Sequence, residues 1–381
     1  MVRRGHRCLQ AQAIKNPFWR TAAIIALMQV IPNHPLSTLT SFQTGGPAES
    51  FVIIEQTKDL HDILKNNKQP LWLLGSGANT LVSDRGLPGT TLQLRNKNVE
   101  IKEQDADMLF IADAGVDWDD LVRQSIAHDA WGLECTSGIP GTVGAAVVGN
   151  IAAYGQAVAD TLEWVEVIDI SGNPDITDCL EAGELGLKYR YSDFQNDKLG
   201  HYVIVRAAFK LSRIPKKELT YASALKIAQE LGLAPDNLEH CRTIIMEARK
   251  RAGSLLEPGS EHKTAGSFFR NPHVGREQAE KIIAHEENNV SIEQILAQNS
   301  EHSGDALRVS AAHVLLAAGF KRGQTWGAVR LHPNHVLKIE NTGNATSQDI
   351  YNVAQEIIST VKAKLAIDLE PEVRFLGTFT D

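Results

Sequence analysis

The stretch Gly132–Gly155, GLECTSGIPGTVGAAVVGNIAAYG, holds six glycines and a proline among small apolar side chains, with almost no charge. Glycine adopts positive φ without penalty and lets the backbone touch a bulky group. At this density the glycines exceed what turns require, and bare backbone amides can cradle a pyrophosphate. A second loop, Leu74-Gly75-Ser76-Gly77-Ala78-Asn79-Thr80-Leu81, follows an apolar run. Neither loop has the Gly-x-Gly-x-x-Gly spacing of a dinucleotide turn or the Gly-Lys-Ser/Thr ending of a P-loop. Two separated small-residue loops with Asn and Ser donors predict one long cofactor lying between two subdomains.

Four further segments carry reactive side chains. Lys188-Tyr189-Arg190-Tyr191-Ser192-Asp193-Phe194 gathers three aromatics, two cations and a hydroxyl, and reads on its own more often as a structural loop than as a site. Leu219-Thr220-Tyr221 is shorter and weaker. Thr264-Ala-Gly-Ser267-Phe-Phe-Arg270-Asn271-Pro272 sets one hydroxyl between a glycine and two aromatics, or begins a strand with a solvent-facing serine. Glu370-Pro371-Glu372-Val373-Arg374 places two carboxylates and a guanidinium at a strand start, or forms a surface ion pair of little energetic weight. The 13 histidines are scattered, and His262, His273 and His285 lack ligand spacing, so no metal is expected. Cys8, Cys135, Cys179 and Cys241 form no CxxC pair and read as reduced, buried thiols.

The elements that must position these residues follow from periodicity. Thr57 is expected to cap a short helix whose Leu60, Ile63 and Leu64 share a face, and Leu71–Leu74 to form a buried strand feeding the first glycine loop. Alternation between Thr91 and Asp113 predicts strands, and Asp117–Ala130 a helix delivering the chain to the long loop. Strands are expected at Leu162–Ile170 and Tyr202–Leu211. After Pro215 helices dominate: Ala222–Leu231, Leu238–Arg251, Arg276–Glu286, Gly304–Ala318 and Ser347–Leu365. The last starts with Thr346 and Asp349 in capping-box register and is expected to be stopped by Pro371, before a short closing strand. This is an α+β pattern. At 381 residues and net charge −8, two or three domains are expected and nucleic acid is not an expected partner. Residues 1–48 lack Asp and Glu but carry Arg3, Arg4, Arg7, Lys15 and Arg20 ahead of an apolar run, Thr21–Ile31. Export signal, basic tail and a start placed too early compete, with a tail or early start favoured, because no cleavage site follows and the run is too short to span a bilayer.

Taken in order, LTSFQTGGPA, LLGSGANTLVSD, GLECTSGIPGTVGAAVVGNIAAYGQ, YRYSDF, LTY, AGSFFRNP, SAAHVLLAAGF and LEPEVRFLG closely resemble the bacterial UDP-N-acetylenolpyruvoylglucosamine reductase family over residues 36–381. The Leu-Thr-Tyr segment is similar to the subtype that closes a tyrosine loop over substrate. The resemblance implies a two-part FAD-binding module of the vanillyl-alcohol-oxidase (PCMH) kind plus an α+β substrate-binding domain. Its divisions would be 1–35 as tail, 36–103 and 104–256 with 367–381 as the two FAD-binding subdomains, and 257–366 as the substrate domain. It further implies non-covalent FAD, NADPH as reductant, the enolpyruvyl ether of UDP-N-acetylglucosamine as substrate, a cytoplasmic location and a monomer that binds neither membrane nor nucleic acid.

Carried onto this sequence, the resemblance makes Ser267 the proton donor to C2 and sets Arg190 and Glu372 at the substrate carboxyl. It assigns Gly75, Ser76, Gly77, Asn79, Thr80, Ser137, Gly138, Pro140, Gly141, Gly144, Asn150, Tyr154 and Gly155 to the cofactor. Tyr189, Tyr221 and Asn271 would meet the substrate, Tyr221 over its diphosphate. Three positions depart from the pattern: Ala152, His313, and the segment Ala248–Ser254, where an expected lysine has only Lys250 or Arg251 as a replacement. Two rival readings remain, a carbohydrate oxidase sharing the FAD module and a sugar-nucleotide-binding protein without catalysis.

Overall fold

The structure is a computed structural model and describes residues 30–215, 217–255, 262–285 and 307–380. The basic stretch before Val30, Cys8 and the interval 286–306 lie outside the described residues.

The first layer is a four-stranded sheet of order β1-β2-β5-β3, from β1 (Val30–Pro35), β2 (Pro47–Ile54), β3 (Leu71–Leu73) and β5 (Leu87–Leu94), with β4 (Thr80–Val82) leaving the first glycine loop. Because β1 pairs antiparallel with β2 from Val30↔Val52 to Pro35↔Pro47, the folded body begins at least at Val30, and the tail boundary expected at residue 35 is too late. Helix Thr57–Asn66 covers this sheet. Its N-cap is Gln56 in extended conformation rather than Thr57, which is the first helical residue.

The second layer is a five-stranded antiparallel sheet of order β11-β10-β12-β7-β6: β6 (Val99–Gln104), β7 (Asp107–Asp113), β10 (Leu162–Asp169), β11 (Thr177–Glu181) and β12 (Tyr202–Ser212). The division expected after residue 103 cuts through β6, which belongs wholly with β7. Between β7 and β10 run helix Trp118–Ala127, capped by the Asp117 carboxylate, helix Val143–Gly149, and the short strands β8 (Ala152–Ala153) and β9 (Gln156–Ala157). Val52, Ile54 and Leu92 of the first sheet pack with Ile168, Val203 and Val205 of the second, joining the two layers through apolar contact.

Helices Ala222–Leu231 and Leu238–Arg251 form an antiparallel pair packed on Cys135 through Ile227, Ile244 and Ile245. Cys135 and Cys241 are buried, whereas Cys179 is exposed, contrary to the expectation of buried thiols.

The last unit contains β13 (His273–Val274), β14 (Leu307–Arg308), and a sheet of β15 (Thr325–Trp326), β16 (Val329–His332) and β17 (His335–Asn341). Helices Arg276–Ile283, Ala311–Ala317 and Ser347–Leu365 pack on it through Val314, Leu315, Ile350, Ile357 and Val361. The helix expected from Gly304 starts only at Ala311, where the Ser310 hydroxyl accepts from Ala312. The Thr346–Asp349 capping box is present. The helix ends at Leu365 because Ala366 turns left-handed, φ 55°, not because of Pro371. The closing strand β18 (Arg374–Leu376) pairs parallel with β4. Residues 374–376 therefore hydrogen-bond to the first subdomain, not to the 104–256 part they were expected to join.

Candidate active site

The two glycine loops face each other. A methyl group on Gly75 would lie 3.2 Å from the Ala145 side chain and 3.5 Å from the Thr142 hydroxyl, so the first loop abuts the start of helix Val143–Gly149. Gly77 has φ 77°, and a side chain there would run into the Leu39 carbonyl at 2.3 Å, which fixes glycine at this position. Among the described residues, no protein acceptor takes the N–H of Gly75, Ser76 or Gly77. Gly141 and Gly155, both at positive φ, have no heavy atom within 4 Å of a built side chain. A small-residue cradle with unspent amides suits a pyrophosphate, and the site fits FAD.

Several residues expected at the cofactor serve the loop itself. The Gly138 N–H donates to Asp119 at 2.6 Å, the Gly144 N–H to the Ala114 carbonyl at 2.9 Å, and the buried Ser137 hydroxyl to the Glu134 carbonyl at 2.6 Å. Asp119 is also gripped by both terminal nitrogens of Arg242, at 2.8 and 2.7 Å. Burial raises the Asp119 carboxyl, but Arg242 and the Gly138 amide outweigh it and hold the group below its ordinary range. Asn150, at φ 39°, donates to the Lys188 carbonyl at 2.7 Å, tying the long loop to the segment that carries Arg190. Tyr154, also left-handed at φ 47°, presents its ring to Tyr221 at 5.3 Å between centroids. Ser76 and Pro140 are half-buried loop residues.

Arg190 and Glu372 meet, and Ser267 lies on the segment paired with Glu372. Arg190 Nε lies 3.3 Å from Glu372 Oε1, with both side chains about one-quarter exposed. Residues 263–270 run between β17 and the segment 370–372: Phe268 donates to the Leu337 carbonyl at 2.9 Å, and Glu372 donates to the Phe268 carbonyl at 2.8 Å. Glu372 thus sits one ladder position from Ser267. Gly266, φ 85°, precedes the serine and has open space where a side chain would be. Asn79 Nδ2 donates to the Glu372 carbonyl at 3.0 Å, which brings the first glycine loop against this strand. Thr80, at the start of β4, stands opposite Arg374.

The surrounding cations keep donors in hand. Arg190, Arg249 and Arg270 each leave a buried Nε–H without a hydrogen-bond acceptor among the described residues. Burial lowers the Arg249 guanidinium, and the charge of Arg190 lowers it further. Such groups favour an anion, since an unsatisfied buried donor is costly. Gln195, which no motif marks, accepts from Arg270 at 2.8 Å and donates to the Val148 carbonyl at 2.8 Å and the Arg190 carbonyl at 3.2 Å. Tyr189 lies between the guanidinium carbons of Arg308 and Arg190, 4.3 and 5.9 Å from its ring centre. The Asn271 side chain is directed elsewhere: its Oδ1 accepts from Ala311 at 2.9 Å and caps the helix there.

Sequence reasoning missed a buried charged cluster on β17. Lys338 and Glu340 are each 1% exposed. Glu340 takes Arg330 Nε and His262 Nδ1, both at 2.7 Å, which keep its carboxyl low although burial raises it. His262, His332 and Glu340 bring ligand-type atoms within 4.8 Å of one another. His332 Nδ1 accepts the Asn334 N–H at 3.1 Å, so the neutral ring carries its proton on Nε2 and does not ligate a metal there. Lys338 Nζ bonds the Ala252 carbonyl and the Ser254 hydroxyl, within the segment expected to hold a lysine. Arg251 instead turns to Glu230 and Glu247 at the surface, and Lys250 is exposed. The legible signal was Lys338 and Glu340 at alternate positions beside the apolar Val336, Leu337 and Ile339 of the strand HVLKIEN.

Comparison with known proteins bears on the whole chain. Residues 48–174 match the FAD binding domain family, and residues 257–376 match the family described as UDP-N-acetylenolpyruvoylglucosamine reductase, C-terminal domain. The UDP-N-acetylenolpyruvoylglucosamine reductase of Thermobifida fusca is 31% identical over 355 residues, covering 91% of this chain and 97% of that protein. The chain belongs to the UDP-N-acetylenolpyruvoylglucosamine reductase family. The reductase of Bdellovibrio bacteriovorus is also 31% identical, over 352 residues covering 91% of this chain and 99% of that protein. The crystal structure of the Thermus caldophilus reductase superposes with a TM-score of 0.62 at 24% identity, covering 92% of this chain and all of that one, and so supports the fold. The expected architecture of this reductase family member, an FAD-binding module of the vanillyl-alcohol-oxidase type followed by an α+β domain, is borne out. Among the described residues no helix is long and apolar enough to cross a membrane.

Proposed function

We propose that this chain is an NADPH-dependent flavoenzyme that reduces the enolpyruvyl ether of UDP-N-acetylglucosamine to UDP-N-acetylmuramate, in peptidoglycan precursor synthesis. The observation that carries it is the Arg190–Glu372 pair seated one ladder position from Ser267 on a strand tied to the glycine loop by Asn79. Held between the two glycine loops and reduced by NADPH, non-covalent FAD would supply the hydride that the enolpyruvyl group receives at C3.

The residues of the chain then manage charge and a proton. Hydride arrival at C3 pushes electron density onto C2 and the attached carboxylate. Arg190 meets that density with a guanidinium whose Nε is still unpaired in hydrogen-bonding terms, so its attraction grows as the enolate forms. Glu372, 3.3 Å from Arg190 Nε, keeps that guanidinium in place for the substrate carboxylate. Ser267 then gives its hydroxyl proton to C2. A serine is a weak acid in water, so the fixed, half-buried position and cationic surroundings must favour the transfer. Tyr221, 51% exposed and held at its ring edge by Tyr154, is placed to fold over the diphosphate, as in the tyrosine-loop subtype. Tyr189 contributes to the substrate side, while Asn271 acts through the helix it caps. The site is completed within one chain, which fits a monomer, and a UDP-sugar substrate fits a cytoplasmic location. The division into FAD-binding segments and a substrate segment at 257–366 goes with this reading.

Anaerobic titration tests it. NADPH is expected to bleach the bound flavin, and the UDP-enolpyruvyl sugar to restore its colour. A flavin that NADPH does not reduce, or that the sugar does not reoxidise, overturns the proposal.

A further inference from the structure

Ser267 stands opposite Lys338 in an antiparallel bridge. The ladder bond from Phe268 to the Leu337 carbonyl flanks the two residues, so the two side chains leave the same face as near neighbours. Lys338 is 1% exposed, an unusual place for an ammonium. Its position is fixed by the Ala252 carbonyl and by the Ser254 hydroxyl at 2.9 Å, on the turn where Gly253 takes φ 60°. A side chain on Gly253 would come within 3.7 Å of Lys338 Nζ and 3.3 Å of the His332 ring, so the turn is pressed onto this cation.

We propose that Lys338 is a positioning residue for the protonation step, its ammonium lying behind Ser267 and stabilising the oxygen that loses the proton. This rests on the function proposed above. In the step, the Ser267 O–H bond breaks, its proton bonds to C2 of the enolate, and the negative charge moves from substrate to Ser267 Oγ. The serine oxygen regains a proton from solvent water as product leaves. A fixed positive charge opposite that oxygen lowers the cost of the transfer without moving at the moment of reaction.

The groups facing Lys338 are Arg249 from helix Leu238–Arg251, Glu340 and His335 on its own strand, and His332 on β16, with His262 and Arg330 paired to Glu340. Burial, helped by Arg249 and opposed by Glu340, lowers the Lys338 amine to about 8. The ammonium is therefore lost as pH rises through that value, and the rate of protonation falls with it.

The test uses the full flavin-loaded chain and stopped-flow measurement of each half-reaction from acid to alkaline pH. Lys338→Met should keep flavin and an unchanged NADPH reduction. Its reoxidation by the UDP-enolpyruvyl sugar should fall at least about 10-fold, below the roughly 10²–10³ typical of a donor in direct contact. The alkaline decline of wild-type reoxidation near pH 8 should vanish. Lys338→Arg should restore most of the rate and move the decline to higher pH. Reoxidation of the Met variant at the wild-type rate, or equal loss of both half-reactions, overturns the proposal. Should the Met variant lose flavin, the Arg variant decides: an alkaline decline in the wild-type position overturns it. Wild-type reduced protein that the sugar fails to reoxidise sinks the functional reading itself, and this one with it. Normal wild-type turnover with an unaffected Met variant sinks only the role of Lys338.

Discussion

Asn79 holds Glu372 from the opposite end of the chain: its Nδ2 donates to the Glu372 carbonyl at 3.0 Å, and its own carbonyl accepts from Arg374 at 3.0 Å. A residue of the first glycine loop thereby holds the backbone that carries Glu372. Asn79→Ala removes the first of these bonds, at a stability cost of about 1 kcal/mol for one hydrogen bond. The expected outcome is a modest fall in melting temperature with a larger fall in flavin retention, read by absorbance after gel filtration. Full retention with an unchanged reoxidation rate would show that the link is incidental.

Ser267→Ala separates the two half-reactions. Flavin reduction by NADPH does not use the hydroxyl and should stay near the wild-type rate. Reoxidation by the UDP-enolpyruvyl sugar should drop at least about 100-fold, the lower part of the range for general acid–base groups. A variant that reoxidises normally, or fails at reduction, has lost something other than the proton donor.

Arg190→Lys keeps a charge but gives up the fork that reaches both Glu372 and a carboxylate. Reoxidation should fall by roughly 10²–10³, the usual loss for a displaced charge-stabilising donor. Glu372→Gln should slow the same half-reaction. NADPH reduction of the flavin in either variant is the control, and an equal loss there would place the pair at the reductant's binding site instead.

His335 gives the protein an acid limb. Burial, with the charges of Lys338, His332 and Arg322 adding to it, holds its ring down to about 4 from an ordinary 6.5. The unfolded ring takes up its proton first as pH falls, so stability from the neutral ring is complete above 6.5 and drains between 6.5 and 4. Melting temperature should decline across that window, and His335→Asn should flatten part of the decline. An identical slope in wild type and variant would assign the limb to other groups.

Much of the site was legible because its chemistry depends on residue types that cluster in sequence. The glycine loops, Arg190, Ser267 and Glu372 each stood out within a few residues, and the structure pairs Arg190 with Glu372 and runs the Ser267 segment beside Glu372. What could not be read was how side chains are spent. Ser137 and the Gly138 amide look like ligands in a glycine run, yet each satisfies a neighbour within the fold, and Asn271 caps a helix about forty residues on. Asp119 and Gln195 carry no local signal, since their partners lie far away in sequence. Boundaries failed for a related reason: β1 and β18 are defined by the strands they pair with, and a periodicity reading sees no partner.

The parallel pairing of β18 with β4 also bears on how the protein is made. The strand that leaves the first glycine loop finds its neighbour only at Arg374–Leu376, so that edge stays open until those residues have been made. Closing so long a loop adds little entropy beyond a medium one, about 0.6 kcal/mol per doubling of length, but it delays the event. The first glycine loop is therefore braced only once β18 is in place, and a chain cut short before Arg374 would leave that loop unsupported however well its two sheets had formed.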